Sequence, residues 1–174
     1  ILLITTDQQR FDALGCNGGK FANTPNLDGL ATAGINFSQA RNQSTVCMPA
    51  RSTILTGQSI RRHGVTSNGI QLPPDQNSLA HVLQDAGYKT ALIGKAHLDP
   101  HAGKIFFENT AASDETTGPY RGFDHMELCG HTGRVGRSLF HYPKWLAENH
   151  PAFVEGFHEY AVAGAPSNRG WTET

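Results

Sequence analysis

The amino-acid sequence predicts an α/β fold in which a largely parallel sheet is flanked by helices. Residues 1–6 form a short apolar, partly β-branched run that is typical of a buried strand. Residues 35–40 alternate apolar and polar side chains, and residues 88–93 form another strand-like run after a helix pattern. Because strands alternate with helices, we expect parallel pairing, with ligands bound beyond the carboxyl ends of the strands.

The first two predicted helices are defined by the residues at their ends. Thr24 is a plausible N-cap for a helix that finishes at Gly34. A second helix is predicted over residues 49–56 and is ended by Gly57. Cys47 would then lie just before the start of this second helix.

A third predicted helix starts after Ser78 and ends at Gly87. Its apolar side chains recur on one face, at Leu79, Val82, Leu83 and Ala86. Residues 100–137 are rich in Gly, Thr and His and show no periodicity, so a long loop or insertion is predicted there. Residues 142–149 are predicted to form a short helix.

Composition excludes several classes of protein. The chain of 174 residues has 38% hydrophobic and 17% charged residues, which is typical of a globular domain and not of a disordered tail. The net charge of −1, with no basic run, argues against nucleic-acid binding. No apolar run approaches the ~20 residues of a membrane span. The cysteines form no C-x-x-C pair, so a zinc knuckle is not expected, and the compartment stays open.

Three segments contain residue types that suggest a chemistry, and they resemble one family in their combination and order. In chain order they are Ile4-Thr-Thr-Asp7-Gln8, Cys47-Met-Pro-Ala-Arg51 with Leu55-Thr-Gly57 after it, and Gly87-Tyr-Lys-Thr-Ala-Leu-Ile-Gly94-Lys95 with His97 beyond. They resemble the signatures of the formylglycine-dependent sulfatases of the alkaline phosphatase superfamily. The resemblance implies that residues 1–174 form the N-terminal part of a truncated catalytic domain.

The same resemblance implies that Cys47 is the precursor of the nucleophile. In the family, a formylglycine-generating enzyme oxidises the cysteine, and the resulting aldehyde is hydrated to a diol. One hydroxyl attacks the sulfur of a small-molecule or glycan sulfate ester, and the alcohol leaves. The second hydroxyl then expels sulfate and restores the aldehyde.

The neighbouring residue types suit an anionic sulfuryl centre. A nucleophile at a helix N-terminus faces unpaired backbone N–H groups and the positive end of the helix dipole. Arg51, one turn into the helix, is expected to hold the diol, and Lys95 is expected to bridge the nucleophile and the sulfate oxygens. His97 is a candidate general base or acid.

A divalent cation is also implied by the resemblance. Asp7 and Gln8, together with the diol derived from Cys47, would supply hard oxygen ligands, for which Ca²⁺ is the first expectation and Mg²⁺ or Mn²⁺ the alternatives. Many sulfatases have a second Asp where this chain has Gln8, so the site loses one negative charge. The same Asp-Gln form occurs in related phosphonate monoester hydrolases.

Single residues outside these segments are interpreted more simply. Asn68 matches a position at which related hydrolases contact substrate, although Ser-Asn-Gly is also a common turn composition. His63 is expected to be structural, and Cys16 and Cys129 to be ordinary thiols. Taken one at a time, the other candidates also have simple explanations, such as surface cations or a helix cap.

Two further functions stay open from the sequence. The first is a phosphonate monoester hydrolase or phosphodiesterase of the same superfamily, against which the Lys95 and His97 pair argues. The second is a non-catalytic domain that binds anions or sulfated glycans. Because the family's remaining metal ligands lie beyond a chain of this length, the isolated 174 residues are predicted to be inactive.

Overall fold

The structure, a computed structural model, describes residues 1–101, 106–112, 114–130 and 140–152. The chain divides into two compact units, Ile1–Arg41 and Asn42–Thr174. Helices accompany a small parallel sheet, so the predicted α/β class is confirmed.

The first unit is organised around helix α1, Pro25–Ala33, preceded by two 3-10 turns at Phe11–Ala13 and Gly15–Asn17. The Asp28 carboxylate accepts hydrogen bonds from the Cys16 amide at 2.6 Å and from the Thr24 hydroxyl at 3.1 Å. Thr24 precedes the helix as predicted, but its hydroxyl makes no capping bond and instead accepts from the Gly15 amide.

Two predicted strands of the first unit are absent. Within the described chain, residues 1–6 pair with no strand, and the side chains of Ile1, Leu2, Leu3 and Ile4 are exposed. An apolar run adopts stable strand structure only when a neighbour satisfies its backbone, and this unit offers none. Residues 35–40 form a local turn instead, because the Ser38 amide donates to Asn36 and the Ala40 amide donates to Phe37.

The second unit contains the other helices. They are α2 Cys47–Thr56, α3 Ile60–His63, α4 Leu79–Asp85, α5 Phe107–Thr110 and α6 His141–Asn149. The start of α2 was predicted too late, since Cys47 is its first residue and not the residue before it. Pro49 is tolerated in the first turn because amides there have no intrahelical partner.

The sheet consists of β1, Ala91–Gly94, and β2, His125–Leu128, which run parallel with Ala91 opposite His125. The second strand lies within residues 100–137, so the loop prediction fails for those four positions and for α5. A parallel pair needs a long crossover connection, and the segment between the strands supplies it. The sequence of residues 100–137 did not indicate β2, because a strand of four residues is too short to show a periodic pattern.

The boundaries of β1 and the buried face of α4 also differ from the prediction. Tyr88 donates its amide to the Leu83 carbonyl at 2.9 Å, so the residue closes the end of α4 and does not start the strand. Ser78 caps α4 as predicted, in a reciprocal arrangement with His81. The buried side chain of the helix is Ala80, whereas Leu79 and Val82 are exposed.

The core of the second unit joins the start of α2 to the sheet and its following loops. Its buried members include Met48, Val65, Leu72, Leu98, Met126 and Leu128. Met48 follows Cys47 directly, so packing of its side chain fixes the beginning of α2. Among the described residues, no helix has the length and apolar character needed to cross a membrane.

His63 is a structural residue of this core, as predicted. Its side chain is 2% exposed and joins α3 to α2 through Nε2, which lies 3.0 Å from the Thr53 hydroxyl. Nδ1 accepts the Val65 amide at 3.1 Å, so the proton of the neutral ring is on Nε2. Burial lowers the pKa of His63 below its ordinary value.

The buried imidazole makes stability depend on pH in one direction. Because the pKa is lower in the folded state, the unfolded chain binds the proton first as pH falls below about 6.5. The contribution is therefore complete above about pH 6.5 and is lost as pH falls, with a slope of at most about 1.4 kcal/mol per pH unit for one proton. Urea unfolding of full-length protein with His63→Gln should show a shallower loss between neutral and mildly acidic pH. The variant His150→Gln, at an exposed histidine, is the control, and equal acid sensitivity in wild type and His63→Gln would contradict the prediction.

Candidate active site

Cys47 is the first residue of α2. Val46, in extended conformation, is the N-cap and provides no side-chain cap for the helix. The amides of the first turn therefore lack intrahelical partners and face the region of the half-buried Cys47 thiol. A helix start of this kind favours negative charge.

Two cations lie next to this helix start. The Nζ atom of Lys95 is 3.6 Å from the Sγ atom of Cys47. Arg51, one helical turn after Cys47 and on the same face, donates from Nη1 to the Lys95 carbonyl oxygen. Both cationic side chains are half-buried, where their attraction for an anion is screened less than at the surface. The structure thus brings together three of the residues predicted for the site.

The sheet explains why Lys95 reaches this place. It directly follows β1, and Cys129 directly follows β2 and donates its amide to the Gly94 carbonyl at 2.9 Å. Both residues therefore lie at the carboxyl edge of a parallel sheet, the usual position of ligand sites in α/β folds. Burial raises the pKa of the Cys129 thiol, against the opposing effect of the Lys95 ammonium.

Asn68 contacts the same helix start from a neighbouring loop. Its Oδ1 atom accepts the Met48 amide at 2.9 Å, so a side chain distant in sequence provides the cap that Val46 lacks. The Met48 sulfur accepts the Gly69 amide at 3.2 Å and holds the same loop from its other side. With the oxygen engaged, the amide nitrogen of Asn68 is the group that remains for an external anion.

His97 is buried and held in an unusual backbone conformation. Its φ angle of 54° lies in the left-handed region, which disfavours residues other than glycine. Its amide donates to the Glu108 carboxylate at 2.9 Å, and its ring stacks on that of His101 with centroids 3.9 Å apart. The contacts described for His97 join it to residues that follow the Lys95 loop.

The predicted cation ligands belong to the first unit. Asp7 and Gln8 are exposed neighbours in a bend, and Gln8 has a φ angle of 57°. Their carboxylate and amide oxygens are the donor types that suit a hard cation. Within the described residues, no three His, Cys, Asp or Glu side chains converge to form a metal site. Asp7 and Gln8 therefore fit as part of a ligand set.

A buried polar network beside the site was missed by the sequence analysis. Its charged and polar members are Asp99, Glu108, Tyr120 and Arg121, and Asp99 and Glu108 are each 1% exposed. Arg121 pairs with Asp99 at 3.0 Å, and the Tyr120 hydroxyl donates to Glu108 at 2.7 Å. Nothing in the aperiodic segment 100–137 marks Glu108, Tyr120 and Arg121 as members of such a network.

A family comparison decides what this arrangement represents. The family model described as Sulfatase matches residues 1–156. The chain belongs to the sulfatase family. Two of the three motifs that carried the resemblance lie at the start of α2 and at the carboxyl edge of the sheet, and the third, with Asp7 and Gln8, belongs to the first unit.

Curated relatives carry sulfatase names but are much longer. The chain is 40% identical over 116 residues to an arylsulfatase of Clostridium perfringens, covering 66% of this chain and 24% of the relative. It is 39% identical over 98 residues to an N-acetylglucosamine-6-O-sulfatase of Bacteroides thetaiotaomicron, covering 56% of this chain and 18% of the relative. The chain thus spans about a quarter or less of the length of these relatives.

Solved structures of two chemistries share the fold. One protein, in complex with its substrate D-glucosamine-2-N,6-O-disulfate, matches 72% of this chain and 22% of its own with a TM-score of 0.58 and 32% identity. The phosphonate monoester hydrolase of Agrobacterium radiobacter matches 85% of this chain and 28% of its own with a TM-score of 0.62 and 27% identity. The fold alone does not separate sulfate from phosphonate esters.

The cap formed by Asn68 predicts a stability effect. Asn68→Ala should lower the free energy of unfolding by about 1 kcal/mol, because the Met48 amide loses its acceptor at the start of α2. Asn68→Asp keeps the acceptor and should stay close to wild type. Urea unfolding of the full-length variants measures both, with the exposed Asn77→Ala as a control. Equal losses in Asn68→Asp and Asn68→Ala would show that the contact is not a cap.

Proposed function

We propose that the protein is a sulfuric ester hydrolase whose nucleophile is made from Cys47. One observation carries the proposal: in a sulfatase-family chain, the Lys95 ammonium lies 3.6 Å from Cys47 Sγ at the start of α2. A cation and a helix N-terminus around one small side chain form an environment for an anion. A buried structural thiol would need neither.

The Cys47 Sγ atom stands in for the oxygens that formylglycine would place on the same β-carbon. When hydrated, that group would supply one hydroxyl to displace the alcohol from sulfur and a second whose deprotonation would release sulfate and restore the aldehyde. The residues around it hold these oxygens. Arg51, anchored through the Lys95 carbonyl, stands one turn away on the face that carries Cys47.

Lys95 and Asn68 are proposed to bind the sulfate group. Negative charge grows on the terminal and bridging oxygens as the ester bond breaks, and a preplaced ammonium stabilises it without reorganisation. Asn68 offers its amide nitrogen at the same helix start, because its oxygen is bound to the Met48 amide.

His97 is proposed to exchange protons with the reacting oxygens. An imidazole is suited to this task near neutral pH, either as the acid for the leaving alcohol or as the base for the second hydroxyl. Its stacked contact with His101 limits rotation of the ring. A restricted ring presents its nitrogens in a fixed direction, which general acid–base catalysis requires.

Asp7 and Gln8 are proposed to hold part of the coordination shell of a divalent cation, with Ca²⁺ as the first candidate and Mg²⁺ or Mn²⁺ as alternatives. The cation would supply Lewis-acid polarisation of a sulfate oxygen. The amide of Gln8 contributes an oxygen without a charge, so the pair binds more weakly than two carboxylates would. Other ligands are needed to complete the shell.

The substrate is proposed to be a sulfate ester of a sugar or an aromatic alcohol. The names of the matched relatives, an arylsulfatase and an N-acetylglucosamine-6-O-sulfatase, support these two classes. The partner needed for maturation would be a formylglycine-generating enzyme. A phosphonate monoester is the second candidate substrate, which the likeness to the Agrobacterium hydrolase favours.

Maturation provides the first test of this function. Full-length protein coexpressed with a formylglycine-generating enzyme should yield a Cys47 peptide whose mass corresponds to the aldehyde, and it should hydrolyse an aryl sulfate. Cys47→Ala should abolish turnover, whereas Cys16→Ala should not. Turnover of a phosphonate monoester alone would favour the second candidate. Binding of sulfated glycans through Lys95 without turnover of either ester would indicate a non-catalytic protein.

Lys95 provides a quantitative test. Lys95→Ala should lower kcat for an aryl sulfate by about 10²- to 10³-fold, the usual loss when one donor to a developing oxyanion is removed. The exposed Lys89→Ala is the matched control and should retain activity. A Lys95→Ala enzyme with unchanged kcat and only a raised KM would assign Lys95 to ground-state binding.

A further inference from the structure

Glu108 is a buried carboxylate outside every motif of the sequence. It lies in the short helix α5, is 1% exposed, and receives the backbone amides of three consecutive residues. The His97 amide is 2.9 Å from Oε2, and the amides of Leu98 and Asp99 are 2.7 and 3.0 Å from Oε1. Three successive amides converging on one anion form a concave site of the kind that proteins use to bind small anions.

The carboxylate accounts for a backbone that would otherwise be unfavourable. His97 has a φ angle of 54°, and a non-glycine residue in this region costs about 1–2 kcal/mol. The amides of such a turn find no partner in a helix or strand ladder, and unpaired buried amides are costly. Hydrogen bonds to a charged acceptor are stronger than neutral ones, so Glu108 offsets both costs.

A second layer of contacts fixes Glu108 itself. The Tyr120 hydroxyl donates to Oε1 at 2.7 Å, and the His101 ring lies 3.4 Å from Oε2. Burial and the neighbouring Glu108 charge raise the pKa of Tyr120 well above its ordinary value, so the phenol keeps its proton and donates. Arg121 contacts the Tyr120 hydroxyl at 2.9 Å and pairs with Asp99.

We infer that Glu108 is a positioning residue, which sets the direction of the His97 imidazole by holding the backbone of residues 97–99 in its turn. The inference rests on the proposed sulfuric ester hydrolase function and adds a residue to it. Glu108 acts through His97 and not on the substrate, since its carboxylate is occupied by backbone and phenol donors. Residues 97–99 are anchored from the other side as well, because the Leu72 amide donates to the Leu98 carbonyl at 2.9 Å.

Replacing Glu108 by Gln keeps the size of the side chain and exchanges one acceptor for a donor. The new amide group would face backbone N–H groups, so the turn should relax and His97 should rotate. In the mature full-length enzyme we expect kcat to fall about 10- to 100-fold with little change in KM. Glu115→Gln is the matched control, because that carboxylate is exposed and pairs only with Lys144 among the contacts described.

The leaving group distinguishes positioning from simple loss of folded enzyme. If His97 protonates the leaving alcohol, Glu108→Gln should impair hydrolysis of phenyl sulfate more than hydrolysis of 4-nitrophenyl sulfate, whose phenolate leaves without help. His97→Ala should show the same signature, and the double variant should lose little beyond His97→Ala. Tyr120→Phe should show a weaker form of the effect, and it tests the same network if Glu108→Gln does not fold.

Three results would overturn the inference. They are a dependence on the leaving group that differs between Glu108→Gln and His97→Ala, additive losses in the double variant, and an unmoved His97 amide resonance in Glu108→Gln protein prepared with isotope-labelled histidine. The amide resonance is measurable whether or not the wild type turns over a sulfate ester. If the wild type is inactive but the His97 resonance moves in Glu108→Gln, the proposed hydrolase function is rejected. The role of Glu108 in holding the backbone of residues 97–99 is then retained.

Discussion

The hydrogen bond from Arg51 to the Lys95 carbonyl oxygen joins the start of α2 to the loop after β1, and the candidate site depends on this junction. Cys47 is the first residue of the helix, so any shift of α2 moves the precursor of the proposed nucleophile. Met48, fully buried, prevents the helix from sliding, and Asn68 closes its first turn. The cationic character of the site thus follows from backbone positions that packing fixes before any ligand arrives.

Next to this junction the protein buries several charged side chains, although apolar side chains of similar size could be buried at a lower cost in free energy. The side chains of the Asp99–Arg121 pair are only 1% and 7% exposed. For such a pair, the free-energy cost of desolvation is often as large as the gain from the electrostatic attraction. Glu108 adds a third buried charge. These groups surround the turn at His97, whose amides need acceptors. They therefore stabilise the backbone conformation of that turn more than they raise the free energy of unfolding of the whole protein.

The sequence was informative where a motif and its local structure coincide. Cys47, Arg51 and Lys95 were assigned to one site by their resemblance to the sulfatase motifs. The helix and strand patterns agree with that assignment, because they place these residues at a helix start and after a strand. The strand predicted at residues 1–6 failed because strands need partners that periodicity does not reveal, and β2 was missed because four residues show no period. Glu108 could not be found, since its role depends on three amides that only the folded chain gathers.

Charge alone does not determine which ester this site would hydrolyse. A sulfate monoester and a phosphonate monoester each carry one negative charge near neutral pH, so Lys95 and Arg51 attract both equally. The two differ in one substituent, because sulfate has three terminal oxygens whereas a phosphonate has two and a carbon. A donor such as the Asn68 amide, aimed at the third position, would meet an acceptor in sulfate and an apolar group in the phosphonate. The phosphonate therefore lacks the net gain of one hydrogen bond, about 0.5–1.5 kcal/mol, and this difference favours sulfate.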